Sequence, residues 1–157
     1  MPTKPPAKIS TAQVENTRFA QHGLVEIWME GDVMYYEATG PFNAELVDSL
    51  AIAQRDFLLS AKPSGLWVSI CTVLVSAMTS PEGIARYAAI MAAPKPDNMV
   101  PIATAFVLSP EVEGGAILAP HYARIYKDIN RTFQIFRTLP EAQAWAQELL
   151  AQARHNA

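Results

Sequence analysis

Thr132–Arg137 (TFQIFR) reads as a β-strand, and it leads through Thr138 and Pro140 into Glu141–Ala153 (EAQAWAQELLAQA), an amphipathic helix. This strand-to-helix step closes a rhythm that runs back through most of the chain. Before it, Ile102–Leu108 (IATAFVL) is a strand whose small middle residues suit a central place in a sheet. Before that, Pro63–Pro81 (PSGLWVSICTVLVSAMTSP) carries no charge and is β-branched at Val68, Ile70, Thr72, Val73 and Val75, as a buried parallel strand requires. That strand begins near Leu66 and ends before Thr79. At the front, Leu24–Met29 and Val33–Ala38 flank Glu30-Gly31-Asp32, whose Gly-Asp pair suits a tight hairpin.

The order is therefore β-β-α-β-α-β-α-β-α. It predicts an α/β fold, a mostly parallel mixed sheet opened by an antiparallel hairpin and covered by helices. The first helix follows Gly40-Pro41, is capped by Asn43, and repeats apolar residues at Leu46, Leu50, Ala53 and Phe57. Ser80-Pro81-Glu82 starts the second with a hydroxyl cap, a proline at the first position and an acid near the positive dipole end. Its buried stripe is Ile84, Tyr87, Ala88 and Met91, and Ala93-Pro94-Lys95-Pro96 ends it. Ser109-Pro110-Glu111 repeats the start signal before Leu118, Tyr122, Ile125 and Tyr126. There Pro120 either kinks one helix or opens a new one after a short segment holding Gly114-Gly115. Asn130 supplies a stop. Residues 1–16 are proline-rich, polar and without period, and read as a flexible arm; 17–153 form a single domain, and 154–157 a tail.

Composition narrows the function classes. With 157 residues, 50% of them apolar and 17% charged, the chain can bury one sizeable core. A net charge of -3 excludes a basic nucleic-acid groove. The single cysteine, Cys71, builds neither a disulfide framework nor a cysteine zinc site, and points to a reducing, cytoplasmic setting. Although Pro63–Pro81 nears the roughly 20 residues of a membrane span, its glycine, prolines and hydroxyl residues favour a strand, so no membrane span is expected. The N-terminus has lysines without an apolar segment behind them, unlike a secretory signal.

Catalytic patterns are sparse. Of the three histidines, His22, His121 and His155, only His121 lies in a promising stretch, His121-Tyr122-Ala123-Arg124-Ile125-Tyr126. Tyr122 and Tyr126 stand one helical turn apart, so a helix edge bearing His121, Tyr122, Arg124 and Tyr126 is a candidate pocket wall, with His121 the only general base near neutral pH. Alternatively, the two tyrosines pack their rings on the sheet. Glu111 and Glu113 do not face each other on a helix, no paired metal-ligand spacing occurs, and Gly114-Gly115 lacks the rest of a phosphate cradle. Neither a metal nor a cofactor is expected. Tyr35 and Tyr36 must point to opposite faces of a strand. With Trp28 beside them, the aromatic surplus suggests a self-association surface, an apolar ligand, or packing against the N-terminal arm.

The opening hairpin leading into Gly40-Pro41-Phe42-Asn43-Ala44-Glu45, the apolar strand around Trp67, the Ile102–Leu108 strand, and Phe133–Phe136 followed by Glu141-Ala142 and Trp145 together resemble the STAS or anti-sigma-factor-antagonist-like (SpoIIAA-like) superfamily. The resemblance spans about Leu24 to Leu150 and is nearest to its branch of small stand-alone bacterial proteins. It implies a non-catalytic regulatory or protein-interaction module, pairing with a protein partner or with itself as a homodimer. By the same resemblance Ser80, beside Thr79, matches a phosphoacceptor at the start of the second helix, though the usual neighbouring aspartate is missing and Pro81 follows. Read from the residues alone, Ser80 is a helix N-cap. The related CRAL-TRIO lipid-exchange proteins imply an alternative, a carrier or sensor of a small apolar, lipid-like ligand with Gly114, Gly115 and Pro120 as a gate. An enzyme using His121 as base is the third reading.

Overall fold

In the computed structural model, which describes residues 7–14, 20–63 and 65–157, the strands lie side by side in the order of the chain. They are β1 (Ile9–Ser10), β2 (Leu24–Glu30), β3 (Val33–Thr39), β4 (Val68–Leu74), β5 (Ala103–Val107) and β6 (Phe133–Phe136). β1, β2 and β3 pair antiparallel, and β3 through β6 pair parallel. Helices α1 (Ala44–Ala61), α2 (Pro81–Ala92) and α3 (Gly115–Asp128) make the parallel crossovers, and α4 (Leu139–His155) follows β6. This is the α/β mixed sheet that the strand-helix rhythm predicts. At the hairpin Glu30 pairs with Val33, and Gly31 takes the left-handed φ of 59° that the tight turn requires.

Parallel strands laid down in chain order, with crossovers of one hand, place every crossover helix on the same face. Accordingly Met34, Tyr36 and Ala38 pack beneath α1, and Val73 and Phe106 pack beneath α3. α4 covers the opposite face, with Ala142, Ala146 and Leu150 against Val33, Tyr35, Val68, Ile70 and Ala105. The period-two separation of Tyr35 from Tyr36 is therefore satisfied by two cores rather than by an exposed ring. Tyr35 stacks on Trp28 at 5.6 Å and accepts a hydrogen bond from Gln143 Nε2 at 3.0 Å, and Lys8 Nζ lies 4.5 Å from the Trp28 ring centroid.

The caps follow local chemistry. Asn43 Oδ1 accepts from the Leu46 amide at 3.0 Å, and Ser80 Oγ from the Gly83 amide at 3.0 Å. Thr138 and Glu141 close the last helix start: the Glu141 amide donates to Thr138 Oγ1 at 3.4 Å, and Thr138 Oγ1 donates to Glu141 Oε1 at 2.7 Å. Asn130 terminates α3 at a left-handed φ of 57°.

Three expectations are corrected, and one open alternative is decided. Part of the arm is structured: Ile9–Ser10 pairs with Ile27 and Glu26, and the buried Thr11 hydroxyl accepts from the Val25 amide at 2.9 Å. The remainder of that arm, 1–6 and 15–16, lies outside the described residues. Ser109-Pro110-Glu111 forms a turn instead of a helix start, because the next residues are drawn to the end of β4. The Glu113 amide donates to the Val75 carbonyl at 3.0 Å and its carbonyl accepts from the Ala77 amide at 2.7 Å, so α3 begins only after Gly114 at φ 72°. Of the two alternatives open at Pro120, one continuous helix holds: Pro120 is the sixth residue of α3 and does not start a new one. Finally, α4 runs two residues into the expected tail, where Arg154 pairs with Asp32 at the hairpin tip.

Candidate functional site

Between the inner face of the sheet and α1, α2 and α3 lies a cavity of about 100 Å³. It exists because the sheet residues beneath the helices are small or polar where a packed core would place larger apolar groups. Ala38 comes from β3, Cys71 from β4, and Ser69 with Thr104 from directly paired positions of β4 and β5. Its walls are otherwise mostly apolar, with Leu46 and Leu50 of α1, Met91 of α2 and Phe106 of β5 among them and Gln54 of α1 as a polar exception.

Six of the hydroxyls in and around the cavity are paired with one another. Ser69 Oγ and Thr104 Oγ1 lie 2.9 Å apart, the Tyr87 and Tyr126 hydroxyls 2.6 Å apart, and the Tyr122 hydroxyl 2.6 Å from Thr79 Oγ1. The tyrosine rings pack edge-on or tilted around Phe106, with centroids at 5.3 Å for Tyr122 and 5.9 Å for Tyr126. Burial pushes the Tyr36, Tyr87 and Tyr126 hydroxyls above the usual phenol range, and pushes the Cys71 thiol up to about 12. A thiol so raised is a small apolar wall group at neutral pH, not a nucleophile.

One end of the cavity is different. Lys95, Met99, Pro101 and Arg131 line it, close to where β5 and β6 begin and where α2 and α3 end. Lys95 Nζ donates to the carbonyls of Ile90 at 2.6 Å, Ala93 at 3.1 Å and Met91 at 3.4 Å, which covers the C-terminus of α2. Partial burial, and then the nearby Arg131 charge, lower the Lys95 pKa. Among the described residues no carboxylate pairs with either cation. Arg131 also lines an open depression beside the cavity, shared with Lys127, Asn130 and Phe133.

Of the residues singled out by sequence, Tyr122 and Tyr126 line the cavity, while His121 and Arg124 lie on the exposed side of α3. Arg124 faces Asp128 at 3.7 Å. Ser80 caps α2, and Thr79 is buried with its hydroxyl held by Tyr122 and by the Ala77 carbonyl at 3.0 Å. Both sit at the opposite end of the sheet from Lys95 and Arg131. Gly114 and Gly115 open α3 outside the cavity. Sequence reasoning passes over Lys95 and Arg131, since Lys95 reads only as part of the Ala93–Pro96 helix stop and Arg131 belongs to no local pattern. Among the described residues no group of three His, Cys, Asp or Glu could hold a metal ion, and no helix is long and apolar enough to cross a membrane. Comparisons of the chain with protein-family models, curated proteins and solved structures find no match.

Proposed function

We propose that the chain is a non-catalytic binding module, a carrier or sensor of a small, largely apolar molecule held between the sheet and α1–α3. The observation that supports this reading is the apolar cavity itself, with polar groups converging at one end, the usual form of a small-molecule site. Its size sets the scale of the occupant. An apolar cavity of about 150 Å³ takes up benzene, so about 100 Å³ suits a short chain of about four carbons rather than a long acyl tail. Titration of the isotopically labelled protein with cyclopentane, followed by NMR, tests it. Amide shifts confined to β3, β4 and β5 near Ala38, Cys71 and Phe106 are expected, and Cys71→Leu, which fills the space, should abolish them. Shifts absent in the wild type, or retained unchanged in Cys71→Leu, would overturn the reading.

A second reading is the protein-interaction module that the STAS-like resemblance implies, here with a second copy of the chain as partner. It is favoured by Leu74, Val75, Met78 and Ile117, large apolar residues left exposed around the end of β4 and the start of α3. Four side chains are few for a stable dimer, which buries about 800 Å² on each partner, so this reading ranks second. Sedimentation at rising concentration decides it: a dimer lost in Val75→Lys/Ile117→Lys supports it, and a monomer throughout removes it.

A further inference from the structure

We infer that the occupant of the cavity is an amphipathic anion, a short-chain carboxylate whose head lies between Arg131 and Lys95 and whose tail points inward toward Phe106. This rests on the binding reading above and adds the chemical class of the ligand. Two cations line one end of the cavity and no carboxylate of the described residues pairs with either, so an arriving anion is the counter-charge this end can take.

The two cations are not equivalent. Lys95 already directs its ammonium at three carbonyls of the α2 C-terminus, so it contributes charge rather than free donors. The Arg131 side chain has no hydrogen-bond partner among the described residues, and its planar fork matches a carboxylate through two parallel N–H bonds. Its position between the cavity and the open depression lets the head remain near water while the tail is enclosed. Burial first, and then the charge of Arg131, lowers the Lys95 pKa, which places the two cations within reach of each other's field. The cavity volume limits the enclosed tail to about four carbons, which is the tail of pentanoate.

Isothermal titration of the full chain at neutral pH with pentanoate, 1-pentanol and acetate tests the assignment. Pentanoate should bind at least about tenfold more tightly than either of the others, since a hydrogen-bonded charge pair exceeds the factor-of-ten threshold. Arg131→Gln should remove that preference, bringing pentanoate to the level of 1-pentanol measured in the same variant. Arg131→Lys, which keeps the charge and loses the fork, should fall between and stands in if the glutamine variant does not fold. Equal binding of pentanol and pentanoate would overturn the anion while leaving the apolar-ligand reading intact. Equal binding of acetate would overturn the amphipath. Retained preference in Arg131→Gln would overturn the role of Arg131, and no binding of pentanoate or pentanol would remove the inference together with the reading beneath it.

Discussion

The buried hydroxyls and the thiol behind α2 and α3 respond to pH in one direction. Deprotonation would place a charge on Tyr36, Tyr87, Tyr126 or Cys71 within the core, so the folded chain holds these protons more tightly than the unfolded chain. Their contribution to stability is complete below the ordinary values, 9.0 for the thiol and 10.0 for the phenols, and is lost as pH rises beyond them. Thermal melts between about pH 7 and pH 11 should therefore show a flat Tm up to about pH 9 and a progressive fall above it. Cys71→Ser and Tyr87→Phe should each flatten part of the fall, and a Tm unchanged to the top of that range would contradict the burial argument. Single residues also mark the limit of what spacing can show. Tyr122 and Tyr126 are legible as one helix face, and both reach the cavity. His121 and Arg124 belong to the same six residues, yet the rotation of α3 about its axis, set by the apolar Leu118, Tyr122 and Ile125 meeting the sheet, turns them outward.

At the scale of elements, one three-residue phrase has two outcomes. Ser80-Pro81-Glu82 starts α2, whereas Ser109-Pro110-Glu111 forms a turn in which the Val112 amide donates to the Ser109 carbonyl at 3.1 Å. Local preference is the same in both places. The difference lies in the neighbouring residues, because Glu113 is claimed by Val75 and Ala77, more than thirty residues earlier, and Gly114 then resets the backbone. Ser80→Ala should cost about 1 kcal/mol, the usual loss of an N-cap. Ser109→Ala, which removes no cap, should stay within about 0.5 kcal/mol. Urea denaturation of the two variants checks this, and equal losses would show that Ser109 holds more than a turn.

At the scale of the whole molecule, the two faces of the sheet are packed differently. On the α4 side the fit is close: Ala142, Ala146 and Leu150 have no exposed surface, and alanine at the contact lets the helix lie near β4 and β5. On the other side three helices span the sheet and leave the cavity. Enlarging Ala146 to leucine should thus destabilise the fold by about 1–3 kcal/mol, the range for overpacking a filled core, while Cys71→Leu on the cavity side should be neutral or stabilising. Paired urea denaturation curves compare them, and a reversed order would mean that the cavity is not space the fold can fill.

The positions of β2 to β6 and of α1, α2 and α4, the Asn43, Ser80 and Thr138 caps, the hairpin at Gly31 and the α/β class come from interactions within a few residues: side-chain period, proline and glycine geometry, and hydroxyl or amide caps. They were accordingly readable from the chain alone. The pairing of β1, the turn at Ser109, and the cavity with Lys95 and Arg131 at its end depend on segments far apart in the chain. Those two cations meet because parallel strands laid down in order bring the ends of α2 and α3 to the same end of the sheet, where β5 and β6 begin. No local pattern records that meeting, since Lys95 by itself is part of a helix stop and Arg131 by itself belongs to no motif, and only the packed topology places both beside one largely apolar space.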